Sequence, residues 1–171
     1  PVIIEYDFSK GQNVVNDNNV IIAEEASEST FIFHYDSKDD SESFHNGLIR
    51  IYGKKDATIN VVKVQSLSDK STHLHGCVCK LEENARVNFI LVELGSKNSV
   101  TNVCTDLEGD KSSVNIHTVY LGDKERVIDI NYLVNHYGKE TSSNIEAKGA
   151  LLHKSSKTFR GTIDFKRGAR K

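Results

Sequence analysis

The chain has 171 residues, of which 37% are hydrophobic and 27% charged, a composition typical of a folded domain with a core and not of a disordered chain. Its 22 basic and 24 acidic side chains nearly cancel, so we expect no global attraction to nucleic acid or to an anionic membrane. No run of about 18 apolar residues occurs, and no membrane span is therefore predicted.

Cysteine content and the start of the chain bear on where the protein works. The three cysteines, Cys77, Cys79 and Cys104, are an odd number, and no N-x-S/T glycosylation acceptor occurs. Both observations favour a reduced, cytoplasmic protein, and we expect no secretory signal, since no charged-then-apolar segment is visible before the first strand-like segment. The chain starts at Pro1 and contains no methionine, so we expect an internal fragment of a longer protein.

Strand-like segments follow one another along the whole chain. They are rich in Val, Ile, Thr, Phe and Tyr and are separated by short polar clusters, which predicts strands and turns. Between two early segments, the acidic stretch 36–43 predicts a surface loop. Residues 1–171 are predicted to form a single domain.

A short repeat sets the expected fold. The pattern small–any–apolar–Asn–apolar occurs at residues 57–61, 85–89, 112–116 and, more weakly, 141–145. Its asparagines lie 28, 27 and 29 positions apart, at Asn60, Asn88, Asn115 and Asn144. Counting back 28 positions from Asn60 gives Ile32, within a segment of the same shape. Such a period is the signature of a solenoid in which each repeat is one coil.

A second phase lies half a period away, at Leu74, Asn102 and Asp129, and it predicts two strands per coil of about 28 residues. Residues two apart in a strand share a face, so four pairs should point inward and stack coil upon coil: Phe31/Phe33, Ile59/Val61, Val87/Phe89 and Val114/Ile116. The asparagines between them should face outward or form a ladder. These features predict an all-β, parallel β-helix, because a β-sandwich keeps no such register.

The segment from His73 to Cys79 is the sharpest candidate for chemistry. His73, His75, Cys77 and Cys79 alternate along one strand and therefore share a face, and thiolate and imidazole groups suit zinc or an iron–sulfur cluster. Same-face neighbours are about 6.6 Å apart, however, whereas Zn–S bonds are about 2.3 Å. We therefore interpret these positions as interior ones, with His75 stacked on Val103 and Ile130. His75, Cys77 and Cys79 remain the metal-ligand candidates.

No catalytic constellation or nucleotide motif occurs: the chain contains no G-x-S-x-G, P-loop, G-x-G-x-x-G or H-E-x-x-H sequence. We therefore predict a protein that is not an enzyme. A β-helix enzyme acting on carbohydrate and a metal-binding β domain are the alternatives.

The segment after Asp129 carries a denser pattern, with Thr141-Ser142-Ser143-Asn144-Ile145-Glu146-Ala147-Lys148-Gly149 followed by Phe159-Arg160-Gly161. It resembles the SufB/SufD family of the SUF iron–sulfur cluster assembly system. SufB, SufD and a shorter paralogue all fit, and the arginine and the Ala-Lys-Gly phrase favour SufB. The signature residues are expected to be structural: His136, Thr141, Ser143, Ala147, Lys148, Gly149, Phe159, Arg160 and Gly161.

The resemblance implies a right-handed parallel β-helix and a non-catalytic scaffold function. Implied partners are a SufC-type ABC ATPase and a second SufB/SufD-type protomer, with no nucleic acid and no membrane. A transient iron–sulfur cluster is implied for the full-length complex, and no cofactor for this segment. In the family, the cluster-associated cysteine and histidine and the ATPase-binding region lie beyond the position of Lys171.

Overall fold

A computed structural model describes residues 1–9 and 13–169, and in this part of the chain every regular element is a β-strand. The strands are β1 (Val2–Asp7), β2 (Asn13–Ala23), β3 (Glu28–Asp36), β4 (Ser43–Gly53), β5 (Thr58–Ser66), β6 (Thr72–Leu81), β7 (Arg86–Glu93), β8 (Asn98–Leu107), β9 (Ser113–Gly122), β10 (Val127–His136), β11 (Ser142–Leu151) and β12 (Ser156–Phe165). The prediction of one domain over 1–171 includes positions 10–12 and 170–171, which lie outside the described residues.

Successive strands alternate between two six-stranded sheets. The odd-numbered strands form one sheet in the order β1-β3-β5-β7-β9-β11, and the even-numbered strands form the other in the order β12-β10-β8-β6-β4-β2. Every neighbouring pair is parallel. One odd and one even strand therefore make one coil, and the predicted parallel β-helix is confirmed.

Alternation within the strands places the core between the two sheets. In β5 the burial pattern alternates strictly, and in β6 every second residue from His73 to Leu81 is buried. Parallel strands of one sheet stack identical positions at about 4.8 Å, so each inward side chain of the middle coils is covered by the coils on both sides. The inward residues include Ile59, Val87 and Val114, all nearly inaccessible.

The predicted asparagine register is confirmed. Asn60, Asn88, Asn115 and Asn144 are partners in adjacent strands. The Asn88 amide donates to the Asn60 Oδ1 at 2.9 Å, and the Asn115 amide donates to the Asn88 Oδ1 at 3.0 Å. The repeat thus marks an outward ladder of side-chain amides.

Two details of the predicted register are wrong. Asn60 pairs with Thr30 and not with Ile32, because the coil between β3 and β5 is two residues longer than the average repeat. Both positions have the same parity, so Phe33 still points inward. The second phase predicted Leu74 and Asn102 at equivalent positions of neighbouring strands, but Leu74 pairs with Val100 and Asn102 pairs with Gly76.

The corners are tight turns with a left-handed residue. Asp56 has φ of 60° and Asn84 has φ of 55°, and such values are uncommon for residues other than glycine. The turns also stack on one another: the Asp56 amide donates to the Glu83 carbonyl at 3.0 Å, and the Asn84 amide donates to the Asp110 carbonyl at 2.8 Å. These bonds extend the sheet ladders around the corner from the even to the odd sheet.

Candidate functional site

A group of polar side chains lies inside the solenoid, where an apolar core is the norm. We call it the interior polar cluster; its members are Asp17, His45, Lys63, Gln65, His73, Glu93, Ser99 and Thr101. The even strands β2, β4, β6 and β8 supply five of them, and the odd strands β5 and β7 supply the other three. All are at inward positions, and all but Asp17 are buried.

A salt bridge forms the centre of the cluster. The Lys63 Nζ is 2.6 Å from Glu93 Oε1, and both side chains are at most 1% exposed. The carboxylate also accepts hydrogen bonds from Thr101 at 2.7 Å and from Ser99 at 2.9 Å. Because burying an ion costs several kcal/mol unless it is paired and hydrogen-bonded, these contacts are what allow the two charges to remain inside.

Two histidines extend the cluster toward the first coils. The Lys63 Nζ is 3.4 Å from His73 Nε2, and the His73 and His45 Nδ1 atoms are 2.9 Å apart. His45 Nε2 in turn lies 2.5 Å from Asp17 Oδ2. Burial, together with the Lys63 charge, holds the pKa of His73 well below its usual value, so the neutral imidazole is favoured.

His75 differs from the other interior histidines because neither of its ring nitrogens has a partner among the described residues. The side chain is buried, and its ring lies parallel to that of His73 with centroids 5.8 Å apart. Desolvation lowers the pKa of His75 well below its usual value. The hydroxyl of Tyr35, whose ring centroid is 6.0 Å away, is also buried and unpartnered. These orphaned atoms mark a place where an additional polar molecule would gain hydrogen bonds.

The structure places His73, His75, Cys77 and Cys79 on the inner face of β6, in agreement with the alternation of the sequence. The predicted stacking of His75 on Val103 is wrong, because His75 pairs with Thr101 and Val103 pairs with Cys77. The predicted alignment of His75 with Ile130 is confirmed, because Thr101, the partner of His75, pairs in turn with Ile130 in the next coil.

The cysteines fall into two environments. Burial raises the pKa of the Cys77 thiol to about 12 and also raises that of Cys79, so both favour the protonated thiol. Cys104 faces outward and is partly exposed. Within 1–9 and 13–169, the structure brings together no set of three His, Cys, Asp or Glu side chains that could hold a metal ion. The metal-site hypothesis for His75, Cys77 and Cys79 stays a prediction.

Three of the signature residues converge at the last described coils. His136 Nδ1 is 2.7 Å from Thr141 Oγ1, and His136 Nε2 is 3.0 Å from Ser143 Oγ. The Thr141 hydroxyl donates to the Gly138 carbonyl at 3.3 Å. The histidine thus ties the end of β10 to the start of β11 across one corner, and burial lowers its pKa.

The remaining signature residues lie in the last two strands. Ala147 and Gly149 are inward positions of β11, and a Cβ added at Gly149 would lie 2.0 Å from the Tyr120 carbonyl oxygen, so the glycine permits close backbone approach. An added Cβ at Gly161 would lie 3.3 Å from the Phe159 ring, so this ring covers the strand where Gly161 has no side chain. Two exposed ion pairs complete the set, Lys148 with Glu146 and Arg160 with Asp129.

Sequence reasoning identified the histidine and cysteine strand but missed the charges that accompany it. The strand alternation could have placed Lys63 and Glu93 inside. Each lies at an inward position of its strand, with one buried apolar residue two positions before it and another four positions before it. Asp17 and His45 also carried a signal, because they lie 28 positions apart, which is the average repeat, although the register sets Asp17 opposite Gly47 and not opposite His45. No helix of the described residues is long and apolar enough to cross a membrane.

Comparison with known proteins agrees with the family resemblance of the sequence. Residues 6–171 match the family model described as SUF system FeS cluster assembly, SufBD core domain. The iron–sulfur cluster assembly SufBD family protein ycf24 of Trieres chinensis is 23% identical over 157 residues, 86% of this chain and 32% of the relative. Family proteins Mb1496 of Mycobacterium bovis and ML0593 of Mycobacterium leprae are each 22% identical over 129 residues, 75% of this chain and 15% of theirs.

The chain therefore spans about a third or less of the length of these curated relatives. The family match, in contrast, extends over nearly all of the chain. The resemblance found in the sequence is confirmed: this chain belongs to the SufBD family of iron–sulfur cluster assembly proteins.

Proposed function

We propose that this chain is the β-helical part of a scaffold for iron–sulfur cluster assembly that performs no catalysis of its own. The observation that carries the proposal is the family match over residues 6–171. Its partners are a SufC-type ABC ATPase and a second SufB/SufD-type protomer, and the complex works in the cytoplasm. The cluster is transient cargo of the whole complex and not a resident cofactor of this chain.

The last described coil exposes side chains at inward positions. Ile163 and Phe165 occupy inward positions of β12 yet are 48% and 67% exposed, since no described coil covers them. An open strand edge with apolar side chains is a site where further β structure can add. A second protomer, or further coils of the same protein, would bury this surface.

Co-purification tests the partner assignment. The whole protein that contains this chain is expressed with an ABC ATPase subunit that lacks transmembrane segments and with a SufB/SufD-type protomer. We expect a stable complex that shows visible cluster absorption when it is purified without oxygen. An ATPase subunit of an unrelated importer is the control and should not bind. A colourless protein that binds neither partner, or a chain that by itself turns over a carbohydrate, would contradict the proposal.

The open end offers a matched pair of variants. Ile163 on the open end and Ile90 on the outer face of β7 are each 48% exposed. If the isolated chain associates through its last coil, Ile163→Glu weakens self-association in analytical ultracentrifugation and Ile90→Glu leaves it unchanged. Equal effects of the two substitutions would place the contact elsewhere.

A further inference from the structure

Four side chains of the interior polar cluster form a continuous hydrogen-bonded line from the centre of the solenoid to its surface. We call it the histidine line: Lys63, His73, His45 and Asp17. The successive distances are 3.4 Å from Lys63 Nζ to His73 Nε2, 2.9 Å between the two Nδ1 atoms, and 2.5 Å from His45 Nε2 to Asp17 Oδ2. Both imidazoles use both of their nitrogens in the line.

The chemistry of the groups fixes the direction of every hydrogen bond. A lysine ammonium is only a donor, so His73 Nε2 accepts from it. A neutral imidazole carries one N–H, so His73 donates from Nδ1 and His45 Nδ1 accepts. His45 then carries its proton on Nε2 and donates to the carboxylate of Asp17. All three donors therefore point from the interior toward Asp17.

The two ends of the histidine line lie in different surroundings. Lys63 is inaccessible and paired with Glu93. Asp17 is 10% exposed, accepts a hydrogen bond from Asn19 at 2.7 Å, and borders a surface pocket of about 470 Å³ that Gly47 and Gly76 also line. A proton on Asp17 can therefore reach solvent, whereas one on Lys63 cannot do so directly.

Aromatic rings enclose the middle of the line. Tyr35 lies 4.6 Å from His45 and 5.2 Å from His73, measured between ring centroids, and Tyr6 and Phe8 pack on His45 at 6.2 and 5.7 Å. Burial raises the pKa of Tyr35, so it stays protonated and uncharged. His75 faces both line histidines and is held neutral by its own burial. Glu93 is the only charged group that faces Lys63 among the described residues of the cluster.

We propose that the histidine line is a proton relay that connects the buried Lys63–Glu93 pair with solvent. A proton moves from Lys63 Nζ to His73 Nε2, the Nδ1 proton of His73 moves to His45 Nδ1, and the Nε2 proton of His45 moves to Asp17. Both imidazoles end neutral with exchanged tautomers, Lys63 becomes a neutral amine, and Asp17 becomes a carboxylic acid. Asp17 exchanges this proton with solvent, and the same three transfers in the reverse direction return a proton to Lys63 and restore both tautomers.

Gly47 is what allows the outer step. It lies between Asp17 and His75 in the register of the even sheet. A Cβ at this position would lie 2.6 Å from His45 Cε1 and 3.0 Å from Asp17 Oδ2. Its φ is not in the left-handed region, so Gly47→Ala has a steric effect only and displaces the imidazole from the carboxylate.

Exchange of the buried imidazole protons with solvent tests the relay. The full chain is labelled with isotopic nitrogen in histidine, and NMR assigns the tautomer of each ring. We expect the proton of His73 on Nδ1 and that of His45 on Nε2. The exchange rate of the His73 Nδ1 proton is then measured relative to the backbone amides of β6, which report the opening of the fold.

Asp17→Asn removes the terminal acceptor of the proton, and Glu5→Gln removes one negative charge from the exposed outer face of β1. We expect Asp17→Asn and Gly47→Ala to slow imidazole exchange, relative to the amides, by at least about fivefold, and Glu5→Gln to leave it unchanged. The ratio to the amides corrects for any loss of stability in a variant. Slowing by a smaller factor, or a His45 proton on Nδ1, would overturn the relay.

Discussion

The buried salt bridge should respond to substitution in a way that an exposed one cannot. Lys63→Met keeps the length of the side chain and removes its charge, which leaves Glu93 ionised in the interior with neutral donors only. Breaking a buried pair in this way costs about 3–5 kcal/mol. Because Thr101 and Ser99 still donate to the carboxylate at 2.7 and 2.9 Å, we expect the lower end, about 3 kcal/mol.

Such a loss is large compared with the free energy of unfolding of a typical domain, which is about 5–15 kcal/mol. Guanidinium denaturation followed by circular dichroism measures it as a lower midpoint with an unchanged slope. Glu93→Gln alone should cost a similar amount, since it leaves the ammonium unpaired. The double variant Lys63→Met/Glu93→Gln should be more stable than either single variant, because no buried charge remains.

Lys80 provides the control, because its pair with Glu108 at 2.9 Å is about half exposed. Lys80→Met should leave the midpoint unchanged. If the losses from Lys63→Met and Glu93→Gln simply add in the double variant, the two charges do not depend on each other and the reasoning is refuted.

Three further substitutions and one titration follow from the structure. His75→Leu should raise the free energy of unfolding by about 1–3 kcal/mol, because it removes two unpartnered buried nitrogens; a loss of stability in the same denaturation assay would mean that a bound molecule satisfies them. Gly149→Ala should lower the thermal midpoint strongly, since the new Cβ would lie 2.0 Å from a backbone oxygen. Gly161→Ala should lower the midpoint only slightly, because its Cβ would meet the Phe159 ring, which can move, at 3.3 Å. Equal midpoints for the two variants would contradict this. Burial lowers the pKa of both His73 and His75 in the folded state, so below pH about 6.5 the unfolded chain binds more protons and stability should fall by up to about 1.4 kcal/mol per pH unit for each histidine. Stability that does not change between pH 7 and pH 5 would show that these imidazoles are not buried in the neutral form.

Much of the architecture could be predicted because it depends on a regular outward feature. Asn60, Asn88 and Asn115 recur at nearly constant intervals, and the ladder of amide hydrogen bonds between them explains why one residue type is kept. The alternation of β6 likewise placed Cys77 and Cys79 inside without any further information. Both inferences use only the period of the coil and the two-residue period of a strand.

The interior polar cluster could not be predicted in the same way. Which interior groups meet depends on the exact offset between coils. Asp17 and His45 are 28 positions apart, but the offset of 30 between β2 and β4 sets Asp17 opposite Gly47, and its carboxylate reaches the His45 ring past this position, which lacks a side chain. The pairing of Lys63 with Glu93 joins two strands of one sheet whose side chains are offset by two positions. The average repeat length does not contain such offsets. It therefore predicts the fold but not which interior side chains contact one another.

The unequal corners have a practical consequence. Backbone hydrogen bonds stack the turns on both sides of the coil. The connections from odd to even strands nevertheless vary in length, with residues 37–42, 67–71 and 94–97 joining successive strand pairs. Length changes at the variable side leave the inward parity of both flanking strands intact. A peptide tag or fluorescent reporter inserted within residues 37–42 should therefore be carried by the folded solenoid, and it would give assembly experiments a handle remote from the open last coil.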